Sequence, residues 1–350
     1  MRVLSLFDGI SCARVALERA GLPVSKYYAS EIDKNAVFIA QKNYPDTVQL
    51  GDVRDIICDT VGQIDLLIGG SPCQDLSIAK KNREGLGGER SGLFWEYVRI
   101  LHGVKPKWFI LENVASMSKD VKQTITEALG VEPTMINAAL VSAQTRKRLF
   151  WTNIPGVRIP EDRGILLKDI LLPETYTEFD KSYALTASYN GAILYDSIAK
   201  SRKTMVWKKP IAVEYRGAAR RTRDGKGKTL EIRKDEKSNA LTTVQTDSMV
   251  AKVGTIKVGQ FKSGGQGQRV YSIDGKSVTL SAMGGGWGAK TGLYLIKDYA
   301  RKLEPIECER LQGLPDNYTD GISKNERRKC LGNAFNVDVV AHILKGISCG

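Results

Sequence analysis

The chain has 350 residues, of which 42% are hydrophobic and 26% charged, a globular composition that excludes a mostly disordered protein and leaves room for one large domain or two smaller ones. No apolar run approaches the roughly 18–20 residues of a membrane span, and Asp8 interrupts the first apolar run, so neither a span nor a secretory leader is expected. The net charge of +13 is confined to one internal third: residues 181–298 hold 22 basic and 9 acidic residues, and the rest balances at 30 of each.

Val3-Leu4-Ser5-Leu6-Phe7 is a short apolar run that stops at Asp8-Gly9, a strand leading into a tight turn. Helical spacing follows through Val15, Leu17 and Ala20, and Gly21 is its stop signal. Tyr27-Tyr28-Ala29-Ser30 reads as a second strand ending at Glu31, with a helix over 34–43 behind it. Val48-Gln49-Leu50 leads to Gly51-Asp52. Ile64-Asp65-Leu66-Leu67-Ile68 is a buried strand ending in Gly69-Gly70-Ser71-Pro72-Cys73, and Trp108-Phe109-Ile110-Leu111 is another, ending in Glu112-Asn113-Val114. This rhythm predicts an α/β fold with a doubly wound, mostly parallel sheet. Ligands of such sheets collect beyond the carboxyl ends of the strands. Asp8, Glu31, Asp52, Cys73 and Glu112 all fall there.

Gln144-Thr145-Arg146-Lys147-Arg148 alternates, so an extended segment points Gln144, Arg146 and Arg148 one way. Two guanidiniums then face either an anionic or carbonyl-rich site, or solvent. The basic third reads differently. It is rich in Gly, Ser, Thr and Lys, with short β-type runs, glycine loops at 263–267 and 284–288, and three loosely similar stretches at 181–186, 237–242 and 276–281. Its charge is the footprint of a polyanion-binding module, or of a solvated surface. After about residue 298 the α/β character returns, and apolar positions Val337, Val340, Ala341 and Leu344 predict a helix over 336–345.

The six cysteines form no CxxC, and the two histidines, His102 and His342, have no nucleophile beside them, so zinc and a histidine triad are not expected. In the first turn, Gly9 lets backbone approach a ligand. Glu31 ends the next strand, where a carboxylate can accept from ribose hydroxyls. There is no G-x-G-x-x-G, which points to adenosine without a diphosphate, and S-adenosylmethionine fits; an ordinary strand-helix turn is the alternative. Cys73 follows a rigid proline at a strand end, and the glycine- and charge-rich stretch 75–92 reads as a lid over it. Together they favour a nucleophilic thiol over a small buried side chain. Glu112 could hydrogen-bond or protonate a substrate nitrogen.

Over nearly its whole length the chain resembles the DNA (cytosine-5)-methyltransferases, bacterial or phage type. The resemblance rests on Phe7-Asp8-Gly9-Ile10-Ser11, Pro72-Cys73-Gln74, Glu112-Asn113-Val114 and the Gln144 to Arg148 segment. It extends to the stretch 301–313 and to Gly332-Asn333-Ala334-Phe335-Asn336-Val337, all in the family's order. The family often has a second glycine where this chain has Ser11. The resemblance implies S-adenosylmethionine as cofactor, bound by Phe7, Asp8, Gly9 and Ile10 of the first turn, by Glu31 through the ribose hydroxyls, by Asp52 through the adenine amino group, and by Ile32 and Val53 beside them. Pro72 and Asn333 complete that pocket. It implies that Cys73 adds to C6 of a flipped-out cytosine, that Glu112 holds or protonates N3, and that Arg148 and Arg146 order the base. The expected domains are a catalytic unit of 1–175 with 299–350, and a target-recognition region of 176–298. The expected partner is double-stranded DNA, with no membrane and a monomeric enzyme in the cytoplasm. A cognate restriction endonuclease, an orphan enzyme and a phage-borne one all remain open. Cytosine methylation of transfer RNA, and an inactive DNA-binding relative, are the competing readings.

Overall fold

The computed structural model describes residues 1–71, 92–208 and 299–347, and five strands between 217 and 295. Pro72, Cys73, the expected lid from 75 up to 91, and both glycine loops lie outside the described residues. The first half contains β1 Arg2–Leu6, α1 Cys12–Arg19, β2 Lys26–Ser30, α2 Lys34–Asn43, β3 Val48–Gln49, α3 Cys58–Val61, β4 Leu66–Gly69, α4 Leu93–Val104 and β5 Trp108–Val114. Next come α5 Lys119–Leu129, β6 Thr134–Asn137, β7 Gln144–Thr145, β8 Lys147–Thr152, α6 Leu167–Ile170, β9 Thr175–Tyr176, β10 Ser182–Tyr183, α7 Leu194–Ala199 and β11 Met205–Lys208. The basic third adds β12 Gly217–Arg221, β13 Lys228–Ile232, β14 Lys257–Gln260, β15 Arg269–Ser272 and β16 Leu293–Leu295. The chain ends in β17 Tyr299–Lys302, α8 Pro305–Gln312, α9 Lys324–Asn333 and α10 Val337–Leu344.

Seven strands form the main sheet in the order β3-β2-β1-β4-β5-β8-β6. The pairings from β3 through β5 are parallel, and β8 runs antiparallel to both its neighbours. The two-residue period of the strands sorts their side chains onto two cores. Val3, Leu66, Ile68, Ile110 and Phe150 join α1, α2 and α10 on one face. Leu4, Leu6, Leu67, Phe109, Leu111, Leu149 and Trp151 join α4 and α5 on the other. Strands covered on both faces read as continuous apolar runs, which is why β1, β4 and β5 stand out in the sequence.

Helix ends follow from local chemistry. Asp33 caps α2 by accepting from the N–H groups of Asn35 and Ala36, and Ser118, Ser323 and Asn336 cap α5, α9 and α10 in the same way. Pro305 opens α8, and Gly313 closes it at φ 74. The expected helix 34–43 is α2 itself, and the expected 336–345 contains α10. The strand expected to stop at Leu111 runs on to Val114, because Glu112, Asn113 and Val114 pair with Phe150, Leu149 and Arg148 of β8. Asp65, expected within β4, lies before it and accepts from the Arg2 N–H at 2.7 Å.

The C-terminal segment returns to the start of the chain. α10 packs on α1, and Arg19 reaches both Asp338, at 2.9 Å, and the Gly313 carbonyl. Two fully buried glutamates organise this return. Glu309 takes the Arg327 guanidinium at 2.8 Å, the N–H groups of Asn317 and Thr319, and the Thr319 hydroxyl. Glu307 takes both ends of the Arg301 guanidinium at 2.7 Å and the N–H groups of Leu172 and Glu304. Leu172 and Arg301 lie on the two crossings into the basic third, next to a three-stranded antiparallel sheet of β17, β11 and β9. Among the described residues no helix is long and apolar enough to cross a membrane.

A buried carboxylate that loses its cation is left uncompensated. Arg327→Ala is therefore expected to cost roughly 3–5 kcal/mol of stability in chemical denaturation. A cost below about 1 kcal/mol, the range of exposed pairs, would show that the pair is not desolvated.

Candidate active site

The sheet reverses its direction of winding between β1 and β4, and a crevice outside the carboxyl ends of the strands is the expected ligand site. The turn after β1 is unusual. Phe7, Gly9 and Ser11 have φ of 56, 60 and 60, so two residues with side chains adopt the left-handed region. That costs about 1–2 kcal/mol for each residue other than glycine. Asp8, between them, is buried. Its Oδ2 accepts from the Ser11 hydroxyl at 2.5 Å and its Oδ1 from the Tyr27 hydroxyl at 2.7 Å. Burial pushes the Asp8 carboxyl up, and the hydroxyls of Ser11, Ser5 and Tyr27 pull it part of the way back. Ile10 is buried too, and its carbonyl accepts from the Tyr318 hydroxyl, which ties the C-terminal segment to this turn.

The turn leads directly to Glu31. The Gly9 N–H donates to Glu31 Oε2 at 2.9 Å, and the N–H groups of Ile32 and Asp33 donate to Oε1 at 2.8 Å. Three backbone donors thus fix the carboxylate and leave acceptor capacity for a ribose hydroxyl. Ile32, beside it, is 71% exposed, an open apolar surface that a purine ring could cover. Asp52 is held by Arg54, whose backbone N–H, Nε and Nη2 reach its two oxygens at 2.5–3.0 Å and lower the carboxyl to about 2. The Val53 side chain is packed in the core with Phe94 and Tyr97, so it can offer a ligand only its backbone.

The second cluster lies on β4, β5 and β8. Glu112 and Arg148 are diagonal neighbours on adjacent antiparallel strands and share one face. Glu112 Oε1 lies 2.8 Å from Arg148 Nε, yet this buried oxygen receives no hydrogen bond. The contact is an ion pair. Gly70 makes room for the acid, since a Cβ there would stand 3.0 Å from Glu112 Oε2. Asn113, on the opposite face, donates to the Ser71 hydroxyl at 3.1 Å and so anchors the residue that precedes Pro72. Sequence reasoning assigned Asn113 no task; its signal was a polar side chain at the end of an apolar strand.

Alternation correctly places Gln144, Arg146 and Arg148 on the inside, but the two guanidiniums part. Arg146 donates to the carbonyls of Leu185, Ala334 and Gly332 at 2.7, 2.8 and 3.4 Å. Gln144 accepts from the Leu185 N–H. Arg146 thus meets the carbonyl-rich alternative rather than Glu112, and it joins the start of the basic third to the end of α9. Asn333, the last residue of α9, is exposed. It lies one turn beyond Lys329, whose Nζ pairs with Asp33 at 2.8 Å two residues from Glu31. The structure therefore assembles Phe7 to Ile10, Glu31 and Ile32 as one group, with Asn333 near it, and Glu112 with Arg148 as another.

The profile described as "C-5 cytosine-specific DNA methylase" matches residues 1–349. The chain belongs to that family. The enzyme is 28% identical over 365 residues to the type II methyltransferase M.HhaI of Haemophilus parahaemolyticus, an alignment that covers 99% of this chain and 94% of the relative. It is also 28% identical over 380 residues to the type II methyltransferase M.FnuDI of Fusobacterium nucleatum, with the same coverage. A DNMT2 structure from Spodoptera frugiperda superposes with a TM-score of 0.61 at 16% identity, over 99% of both chains. The Entamoeba histolytica methyltransferase EhMeth gives 0.60 at 13%, over 99% of this chain and 97% of that one. These likenesses show that the methylase has the fold of that group.

The Asp52–Arg54 pair sets a pH dependence. A carboxyl held at about 2, below its ordinary 3.8, stabilises the fold above the ordinary value, and this contribution is lost as pH falls through about 2. In Arg54→Ala the Asp52 midpoint should return toward 3.8, as read by NMR titration. An unmoved midpoint would refute the pairing in solution.

Proposed function

We propose that the enzyme methylates C5 of cytosine within a specific double-stranded DNA sequence, with S-adenosylmethionine as methyl donor. The observation that carries this reading is the Glu112–Arg148 pair. The acid sits 2.8 Å from a cation and against Gly70, which precedes Cys73 by three residues in sequence.

The turn after β1 and Glu31 fit the cofactor, since a fixed carboxylate stands beside an open apolar side chain. Glu31 holds the ribose, Ile32 covers the adenine, and Asn333 closes the pocket from α9. The Asp52 carboxylate would receive the adenine amino group alongside Arg54. When bound, S-adenosylmethionine supplies an electrophilic methyl group.

Cytosine C5 is a weak nucleophile. The thiolate of Cys73 adds to C6 and converts the ring into an enamine that is nucleophilic at C5. Glu112 holds N3 and limits negative charge on the ring. Arg148 keeps Glu112 in place and faces the base carbonyl. After transfer, loss of the C5 proton expels Cys73. The base must leave the helix to reach this site. The basic residues of 176–298 neutralise phosphates, and polar neighbours read base edges. The protein acts as a monomer, with or without a partner endonuclease, and its bacterial and phage relatives support a place in the cytoplasm.

Purified enzyme is expected to transfer labelled methyl groups from S-adenosylmethionine to double-stranded DNA, and Cys73→Ala to abolish transfer. Glu112→Gln should lower kcat by about 10²–10⁴, the usual range for a positioned acid. Full activity in Cys73→Ala, or labelling of transfer RNA alone, would overturn the reading. DNA with 5-fluorocytosine at the target should form a covalent adduct with the native enzyme, because no C5 proton can leave.

A further inference from the structure

Ser11 stands where the turn's geometry calls for glycine. Its φ of 60 and ψ of 37 lie in the left-handed region, which glycine enters freely and a residue with a Cβ does not. The side chain is fully buried, and it makes no capping bond to α1. A buried hydroxyl needs a partner, and here that partner is Asp8. The Ser11 Oγ donates to Asp8 Oδ2 at 2.5 Å, and the Ser11 N–H donates to the Asp8 carbonyl at 3.2 Å, so two bonds join the same two residues across the turn. The other oxygen of Asp8 takes the Tyr27 hydroxyl of β2, and the Asp8 N–H donates to the Ser30 carbonyl. Asp8 is thus tied to β2 and to Ser11 at once. Asp8 is 6% exposed, and each of its oxygens already accepts a hydroxyl inside the fold, so its side chain acts inward.

We infer that Asp8 and Ser11 form a coupled pair of positioning residues: their side-chain bond does the work of a glycine, holding the turn in its cofactor-binding shape without touching the cofactor. The inference rests on the proposed cofactor site. Between the two lies Gly9, whose N–H fixes Glu31. A turn that relaxes at Ser11 moves that donor and releases the carboxylate that holds the ribose. This assigns Asp8, expected from sequence to bind the cofactor, to a supporting task. It also accounts for the departure from the family's second glycine, since Ser11 is tolerated because Asp8 is there.

The test compares two substitutions at one position. In the full-length enzyme, Ser11→Gly should keep the Kd for S-adenosylmethionine within about threefold of native, and Ser11→Ala should raise it about tenfold, because alanine keeps the strained Cβ and lacks the bond. Asp8→Ala should raise Kd about tenfold in the native background and no more than about threefold in the Ser11→Gly background. The loss should appear in KM for S-adenosylmethionine, with kcat at saturating cofactor retained. Equal affinities of Ser11→Ala and Ser11→Gly would overturn the inference, as would an undiminished effect of Asp8→Ala in the Ser11→Gly background. Thermal midpoints of the cofactor-free proteins give an independent reading, with Ser11→Ala below Ser11→Gly; equal midpoints would also count against the pair. A native enzyme that binds no S-adenosylmethionine would instead overturn the proposed site, and the midpoints would still decide the fate of the pair.

Discussion

Between β1 and β4 the sheet changes the direction in which it winds. From β1 the chain steps outward to β2 and β3 on one side, and from β4 to β5 on the other. Parallel crossovers are right-handed almost without exception, so opposite directions of winding send α1 and α2 to one face and α4 to the other. Loops that leave neighbouring strands for opposite faces must part, and a crevice opens between them. The turn at Phe7 to Ser11 and the loop from Gly70 begin there. The polar residues of the site are thus gathered by a rule about chain direction before any of them makes a contact.

A crevice open at strand ends needs a third wall, and the C-terminal segment supplies it. α10 packs on α1, Tyr318 reaches the Ile10 carbonyl, and Lys329 reaches Asp33. Desolvated carboxylates direct this return. Glu309 and Glu307 are inaccessible to water, and each is satisfied by an arginine and by backbone N–H groups. Buried ion pairs of this kind add little net stability over an apolar core, but they are intolerant of misplacement. They locate α8 and α9 against the neck of the basic third and the turn after β1 together.

What could be read from the sequence divides along a physical line. The apolar runs of β1, β4 and β5 are local, and so are the amphipathic spacing of α10 and the span of α2; burial on two faces or on one stripe writes them directly into residue order. β8 escaped, because its antiparallel insertion between β5 and β6 depends on pairing among distant segments. The same distinction holds at the site. Glu31 and Glu112 were readable as polar residues ending apolar strands. The destination of Arg146 was not, since its three carbonyl partners lie about 40 and 190 positions away. Arg54 was missed at short range: a cation two residues after Asp52 was the available signal. Ser11 required knowledge of a backbone angle that no side-chain pattern reports.

Gly332 carries one more consequence. A Cβ there would fall 2.2–2.5 Å from the backbone of Thr186 and Ala187, so α9 and the first residues of the basic third are in contact with no side chain between them. Arg146 and Gln144 hold Leu185 against the same place, and Glu307 holds Leu172 and Arg301. The stretch from 172 to 187 is therefore keyed to the scaffold even though it borders the segment that carries the charge. Tyr189 and β11 continue that attachment through the Leu303 N–H, β17 and β9, so an exchange of the basic segment between relatives, whether by recombination or at the bench, has its natural seams after Lys208 and before Tyr299. A graft cut earlier would carry a foreign key into this lock.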